Sequence, residues 1–503
     1  MENPPMVNPI IVILPVLIPA VAGVLGLICH RYQRCQSWIA LAGMALSLAV
    51  SLKLLVLVRG AGLPLVFQAG GWAAPFGISF AADLLAVFFV TMSQVVLFAG
   101  VIYAAGAKDR CVAYPAFYPL FLFLATGLTG AFLTGDVFNL FVFIELLAIS
   151  STVLTAVSDD GFGTEAAFKY FFMSQLAAFF MLLSVGAIYV SCGTLNMGHL
   201  AQIVPSLGEQ GMLPMAAAFL MATFMIKSAT FPFHFWQPDF HTAAPTPVSA
   251  MLSAVVVKLG VYGFIRMTTL IFVPQGEMIR GLLVVLGIAG IIFGGLAAMG
   301  THNVKRMLAY STLAQVGFVL VGIGWGTALS LTAALIFAFN HSLAKSAMLM
   351  LAGHLASRAP VKSADFSVVA GRGRGLPFTG ILFFIGCLGL AGIPPTNGFI
   401  SKMSVFNAGI NAGQFYGLAL IGISSVFTLV YTMRAFMRIF WQAPEISGEI
   451  RSSGDLRLAP ALLVLLVLGL GIFAGPLVDL AGETAARAAD NQAYVTAVMG
   501  GIK

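Results

Sequence analysis

The chain has 503 residues, of which 60% are hydrophobic and only 9% charged, with a net charge of +7. A soluble domain carries roughly a quarter charged residues, so a soluble globular fold is excluded. Apolar runs of about 20 residues, long enough to cross a bilayer as helices, recur without period-two alternation, which excludes a transmembrane β-barrel. The fold class is an all-α polytopic membrane protein surrounded by lipid. Its basic excess is read as an orientation signal and not as a nucleic-acid surface.

In chain order, the opening MENPPMVNPIIVILPVL has no basic n-region and no small-residue cleavage site, and reads as a retained first span. Fourteen spans are expected, near 9–29, 37–58, 80–105, 115–134, 137–157, 165–190, 212–231, 245–270, 281–300, 305–324, 327–356, 378–404, 414–441 and 458–480. Sorted by that count, one set of loops holds fifteen Lys and Arg residues, and the opposite set with both termini holds four. The positive-inside rule then predicts both termini outside, in a bacterial inner membrane. The cysteines Cys29, Cys35, Cys111, Cys192 and Cys387 have no metal spacing and read as apolar fillers.

Two spans are broken, the seventh at KSATFPFHFWQPDFHTAAPTP (227–247) and the twelfth at GLAGIPPTNGFISK (389–402). Pro232, Pro394 and Pro395 remove helical hydrogen bonds there, and the freed carbonyls need protein or water. Paired breaks in corresponding positions predict two inverted five-helix repeats. The expected organisation is flanking helices in 1–110, a first repeat in 111–271, a second in 272–442, and a last helix and tail in 443–503.

Six basic residues remain within spans. Lys53 and Arg266 lie toward span ends and are expected to snorkel. Lys227, Lys258, Lys345 and Lys402 lie deeper, as does one acid, Glu145 in GDVFNLFVFIELLAISS (135–151). A charge at mid-bilayer costs about 2.5–3.5 kcal/mol even on the lenient scale, so these groups must face the interior, pair, or meet water. Static ion pairs would need equal numbers of acids and bases. Four lysines against one acid favour groups that change protonation state, which lysine allows and arginine does not. Thr223 and Thr230 flank Lys227 at i−4 and i+3; Ser249, Ser253 and Tyr262 are expected to line Lys258; His341 and Lys345 are i,i+4 neighbours.

The stretches GDVFNLFVFIE (135–145), IKSATFPFHFWQPDFHTAAPTPVSAMLSAVVVKLGVYGF (226–264), HNVKRMLAYSTLAQVGF (302–318), FNHSLAKSAMLML (339–351) and GLAGIPPTNGFISK (389–402) resemble the antiporter-like membrane subunits. That family is shared by Mrp-type multisubunit sodium/proton antiporters, respiratory complex I and membrane-bound hydrogenases, and FNLFVFIE looks most like the Mrp D-type subunit. The resemblance implies a proton relay: Glu145 and Lys227 gating access, Lys258 passing protons along the axis, His341 and Lys345 bridging the half-channels, and Lys402 exchanging with the far side. It implies other membrane subunits as partners, protons and Na+ or another monovalent cation as substrates, and no cofactor. Whether a metal ion binds this chain is left open. The expected function is therefore a proton-translocating subunit of a cation/proton antiporter, a transporter and not an enzyme. The alternative is a proton-pumping subunit of a redox complex.

Overall fold

In hydrocarbon every backbone amide must find its partner within its own segment, and the apolar runs fold accordingly. The computed structural model describes residues 8–158, 160–445, 451 and 453–500. The first helices are α1 (Leu14–Ile28) and α2 (Gln33–Ala61). A small antiparallel hairpin follows, β1 (Leu65–Gln68) with β2 (Ser79–Ala82), an addition to the expected all-helical pattern. Next come α3 (Leu84–Ala105), α4 (Phe117–Leu133), α5 (Val137–Ala156), α6 (Gly161–Cys192) and the short α7 (Met197–Leu207).

The seventh span is α8 (Leu213–Lys227) and α9 (Trp236–Ala243), interrupted around Pro232. The eighth runs through α10 (Thr246–Met251) and α11 (Lys258–Arg266), each followed by a π-helical turn, at Leu252–Val256 and Met267–Ile271. Then come α12 (Gly276–Gly300), α13 (Val304–Gly324), α14 (Ala328–Arg358) and the short α15 (Phe366–Val369). The twelfth span is α16 (Pro377–Ala391) and α17 (Asn397–Asn411), broken around Pro394 and Pro395. The chain continues as α18 (Phe415–Phe440), α19 (Leu458–Ile472), α20 (Gly475–Ala488) and α21 (Asn491–Met499).

Among the described residues nine helices are long and apolar enough to cross a membrane, or ten if the pair α19–α20 is one span. The shorter α1, α4, α8 and α16 are also apolar, so each expected span coincides with an apolar helix or half-helix. The last span departs from expectation: α19 and α20 meet at 81° instead of running straight.

Polar caps recur in a pattern. Asp136 caps α5 by accepting from Asn139 N at 2.8 Å, and its backbone bridges to Asn196, which caps α7. Asn303 caps α13, and its backbone bridges to Asp365, the residue before α15. The first arrangement is tied to β2 through Asn196 Nδ2 on Ser79 Oγ at 3.1 Å, whereas Asn303 and Asp365 of the second line one cavity with Asp109 and Lys362.

The loops also sort into two faces. Lys362 pairs with Asp109 at 2.6 Å, and Lys169 and Arg306 both pair with Asp239, all within the basic set. On the other face Arg59 pairs with Glu483, and Gln275 donates to the Gly208 carbonyl. The segment before α1 and helix α21 both contact β1, so both described ends share the less basic face. Lys503, counted among the basic residues of that set, lies outside the described residues.

Candidate functional site

Glu145 sits mid-way along α5, half-buried. Its Oε2 accepts from Gln175 Nε2 at 3.2 Å, and its buried Oε1 has no hydrogen-bond partner among the described residues. Lys227 is the last residue of α8, and its Nζ donates to Ser174 Oγ at 2.6 Å. The carboxylate and amine therefore hold adjacent residues of α6 and make no direct ion pair. Thr223 and Thr230 do not reach the amine. Thr223 Oγ1 donates to the Ala177 and Phe219 carbonyls, as helix-borne hydroxyls commonly do, and Thr230 Oγ1 bonds Ser228 Oγ at 2.7 Å.

A cavity lined by Lys227, Ser174, Tyr170, Trp236, Val256 and Leu259, with about 10 Å³ of room for a water's centre, separates this pair from α11. That is about one water molecule. Helix α11 lies unusually close to α8 because Gly260 has no side chain: a Cβ there would stand 2.5 Å from the Phe224 carbonyl oxygen. The close approach keeps Lys258 beside the end of α8.

Lys258 is fully buried, and its Nζ hydrogen-bonds His341 Nδ1 on α14. It opens α11 directly after the π-helical turn Leu252–Val256. Such turns widen a helix and are frequent at functional sites. Ser253 Oγ shares a hydrogen bond with Thr312 Oγ1 on α13 at 2.5 Å. One turn further along α14, Lys345 donates to Ser311 Oγ at 2.7 Å and the Leu308 carbonyl at 3.1 Å, and Tyr431 OH donates to the same Ser311. His341 Nε2 has no partner among the described residues.

Two other expected neighbours of Lys258 lie elsewhere. Ser249 belongs to His241, donating to its carbonyl at 3.0 Å with its ring Nδ1 at 3.4 Å. Tyr262 donates to the Phe132 carbonyl at 2.7 Å and accepts from Arg266 Nε at 2.9 Å. Arg266 does not snorkel. It is 4% exposed and grips both oxygens of Asp83, Nη1 at 2.7 Å and Nη2 at 2.5 Å. A charge that α11 carries inward is thus met by a carboxylate at the start of α3.

Lys402 lies on α17, past the second break, with Nζ on the Ala391 carbonyl at 2.7 Å and above the Phe318 ring at 5.8 Å. That carbonyl ends α16, where the following Gly392 takes φ 79° with the Lys402 stem packed over it. Gln315, Asn340, His341, Ser401 and Lys402 line a common small cavity, again about 10 Å³ and about one water. Asn340 bonds Ser401 Oγ at 2.9 Å and Asn397 at 3.0 Å across it. Polar side chains of α14 and α17 are thereby hydrogen-bonded to each other beside the cavity that Lys402 lines.

A third, larger cavity of about 480 Å³ opens on the basic face, with Asp109, Lys362, Asn303, Asp365 and the buried Lys305 among its lining. Lys305 stands in the first turn of α13 and donates to the Ala244 carbonyl at 3.1 Å. Burial pushes the Asp109 carboxyl up, but the Lys362 ammonium and the Cys111 amide outweigh it and hold it below the usual value. Burial and Asp109 push the neighbouring Cys111 thiol up to about 12. Of the cysteines, Cys387 is buried, Cys29, Cys111 and Cys192 are half-buried and Cys35 is exposed.

Sequence reasoning missed Ser174, Gln175, Ser311, Asn340, Asn397, Ser401, Tyr431 and His241. Each is a small or polar residue on an apolar helix, and the signal that could have found them is their helical phase relative to the charged residues. Among the described residues there is no cluster of three His, Cys, Asp or Glu suited to a metal ion.

Known proteins share both the sequence pattern and the architecture. Residues 134–428 match the NADH:quinone oxidoreductase/Mrp antiporter transmembrane family. The D-type subunit of the Na(+)/H(+) antiporter of Alkalihalophilus pseudofirmus is 33% identical over 497 residues, covering 97% of this chain and 99% of the relative. A chain of the Mrp complex from Dietzia sp. DQ12-45-1b superposes with a TM-score of 0.88 at 27% identity, over 98% of this chain and 100% of that one. A chain of the archaeal membrane-bound sulfane sulfur reductase superposes with a TM-score of 0.89 at 28% identity, over 98% of this chain and 100% of that one.

Proposed function

The chain belongs to the NADH:quinone oxidoreductase/Mrp antiporter transmembrane family, and we propose that it is the proton-translocating D-type subunit of a multisubunit Na+/H+ antiporter. Protons move along the membrane midplane through Glu145, Lys227, Lys258, His341, Lys345 and Lys402, in exchange for sodium or another monovalent cation. The observation that carries this reading is that four buried lysines form no ion pair among the described residues. Each meets hydroxyls, carbonyls or an imidazole instead. A permanently charged, unpaired ammonium in hydrocarbon is costly. An amine that loads and unloads a proton carries that cost only in transit.

The subunit would sit in the bacterial inner membrane, both termini outside, with other antiporter subunits beside it. The recurring caps and broken helices support two inverted repeats, 111–271 and 272–442, flanked by 1–110 and 443–503. Membrane potential supplies the drive, since one charge crossing 100 mV is worth about 2.3 kcal/mol. The likeness to the sulfane sulfur reductase chain favours a second reading, a pumping subunit of a redox complex. Co-purified partners separate the two: cluster-binding subunits would point to redox coupling.

The test is cation-induced proton movement, read by fluorescence quench in vesicles carrying the whole complex. Lys227→Ala and Glu145→Ala are expected to abolish or strongly reduce it with the complex still assembled. Full retention in both removes the relay.

A further inference from the structure

Two side chains that line the small cavity beside Lys402 each bring a buried nitrogen without a partner among the described residues. His341 meets Lys258 through Nδ1, which leaves its Nε2 over. Gln315 stands on α13 one turn past Ser311, and its Nε2 is equally unpartnered. The two residues are 4% and 3% exposed, so bulk water does not reach them. A buried polar atom without a partner is unusual and calls for an explanation. The cavity offers one, because a buried water needs about a water's room and two to four polar partners. Its walls are otherwise tight. Gly389 and Gly398 line it from the two halves of the broken span, and a Cβ on Gly398 would overlap the Gly389 carbonyl oxygen. Ala344 of α14 adds apolar wall. With about 10 Å³ of room, the space takes a single molecule and not a file of them.

We propose that this cavity holds one water between His341 and Lys402, and that Gln315 is the positioning residue that aims it. The inference rests on the relay reading and adds Gln315 to it. When His341 Nδ1 accepts from Lys258, Nε2 carries the hydrogen of the ring and donates it to the water. The Gln315 amide donates to the second lone pair of the same water. Both acceptor positions are then filled, so the water turns its own hydrogens to Ser401 Oγ and the neutral Nζ of Lys402, which share the lining. A proton given by the Lys258 ammonium to Nδ1 makes the ring briefly imidazolium. The Nε2 proton then passes to the water while one of the water's own leaves for Lys402. One proton enters, one leaves, the water is regenerated and no electrons move; turning the ring over restores the starting tautomer. A carboxamide suits the task because its N–H donates without titrating, so it orients the water and never takes the proton itself.

The experiment uses the whole complex in inside-out vesicles, assembly being checked on native gels, together with a cryo-EM map fine enough to show ordered water. The map should place one water within hydrogen-bond distance of Gln315 Nε2 and His341 Nε2. Gln315→Met keeps the length of the side chain and removes the N–H. It is expected to slow exchange about tenfold, the scale of one hydrogen bond missing from the transition state. It should also raise the ratio of rates in H2O and D2O, which a purely structural role would not move. A second arm leaves every polar group native: Ala344→Val pushes methyl groups into the water's place and should slow exchange comparably, with the water gone from its map. A wild-type map without that water, or wild-type rates in Gln315→Met or Ala344→Val alongside a dead Lys402→Ala, overturns the bridge and leaves the relay standing. A slowed Gln315→Met with an unchanged isotope ratio also overturns it, since the amide would then serve packing alone. Wild-type rates in Lys402→Ala and Lys227→Ala overturn the relay itself.

Discussion

The Asp83–Arg266 pair gives the sharpest quantitative prediction. The guanidinium binds both carboxylate oxygens, with side chains only 5% and 11% exposed. Removing one partner of such a pair leaves a buried charge and costs about 3–5 kcal/mol. Asp83 also caps α3, its Oδ1 accepting from Ala86 N at 3.0 Å, so Asp83→Asn removes the charge while keeping an acceptor for the cap. Arg266→Met removes the other charge and keeps apolar bulk. Each single change should therefore lower stability by about 3–5 kcal/mol, while the double variant should lose much less than the sum, with a coupling of about 2–3 kcal/mol. The assay is size-exclusion detected thermal melting of the detergent-purified complex for all four forms. Strict additivity, or a melting temperature unmoved by Asp83→Asn, would refute the claim that this arginine is held internally rather than at the lipid interface.

Three further outcomes follow from particular contacts. Gly260→Ala puts a methyl 2.5 Å from the Phe224 carbonyl oxygen; it should cost about 1–3 kcal/mol and slow exchange by displacing Lys258, both read on the purified complex. Ser311→Ala removes the hydroxyl shared by Lys345 and Tyr431, and should reduce exchange rate without altering assembly or cation affinity. At Asp109 the folded carboxyl titrates below its ordinary 3.8, so its contribution is complete above that value and vanishes as pH falls through the lower folded one. With Lys362 half exposed, the advantage of wild type over Asp109→Asn should be at most about 1 kcal/mol near neutrality and disappear in strong acid, as melting at the two pH values would record.

Much of the architecture was legible because hydrocarbon imposes one rule on every span. Run length and loop charge located the helices and sorted the faces, and Pro232 and Pro394 marked the broken ones. The bend between α19 and α20 falls at Phe473 and Ala474, directly before Gly475 and Pro476, a glycine–proline mark that the single-span reading passed over. The charged members of the site were legible for the opposite reason: a lysine in an apolar run is conspicuous. Their partners were not. Helical spacing placed Thr223 and Thr230 one turn from Lys227, yet Thr223 turns to backbone carbonyls and Thr230 to a neighbouring hydroxyl, and the amine is met by Ser174 from another helix. Same-helix neighbours share a face, but a lysine's long stem carries its amine beyond them to whatever helix packs opposite. Arg266 failed for a related reason, because its acid lies 183 positions away.

Lys258→Arg tests the central claim most directly, because it keeps a cation at the centre of the row and removes only the capacity to release a proton. Measured as cation-driven quench in vesicles containing the assembled complex, exchange should be lost although the complex forms. Proton movement at the wild-type rate would contradict the account, since a permanently charged side chain cannot be a station on the path.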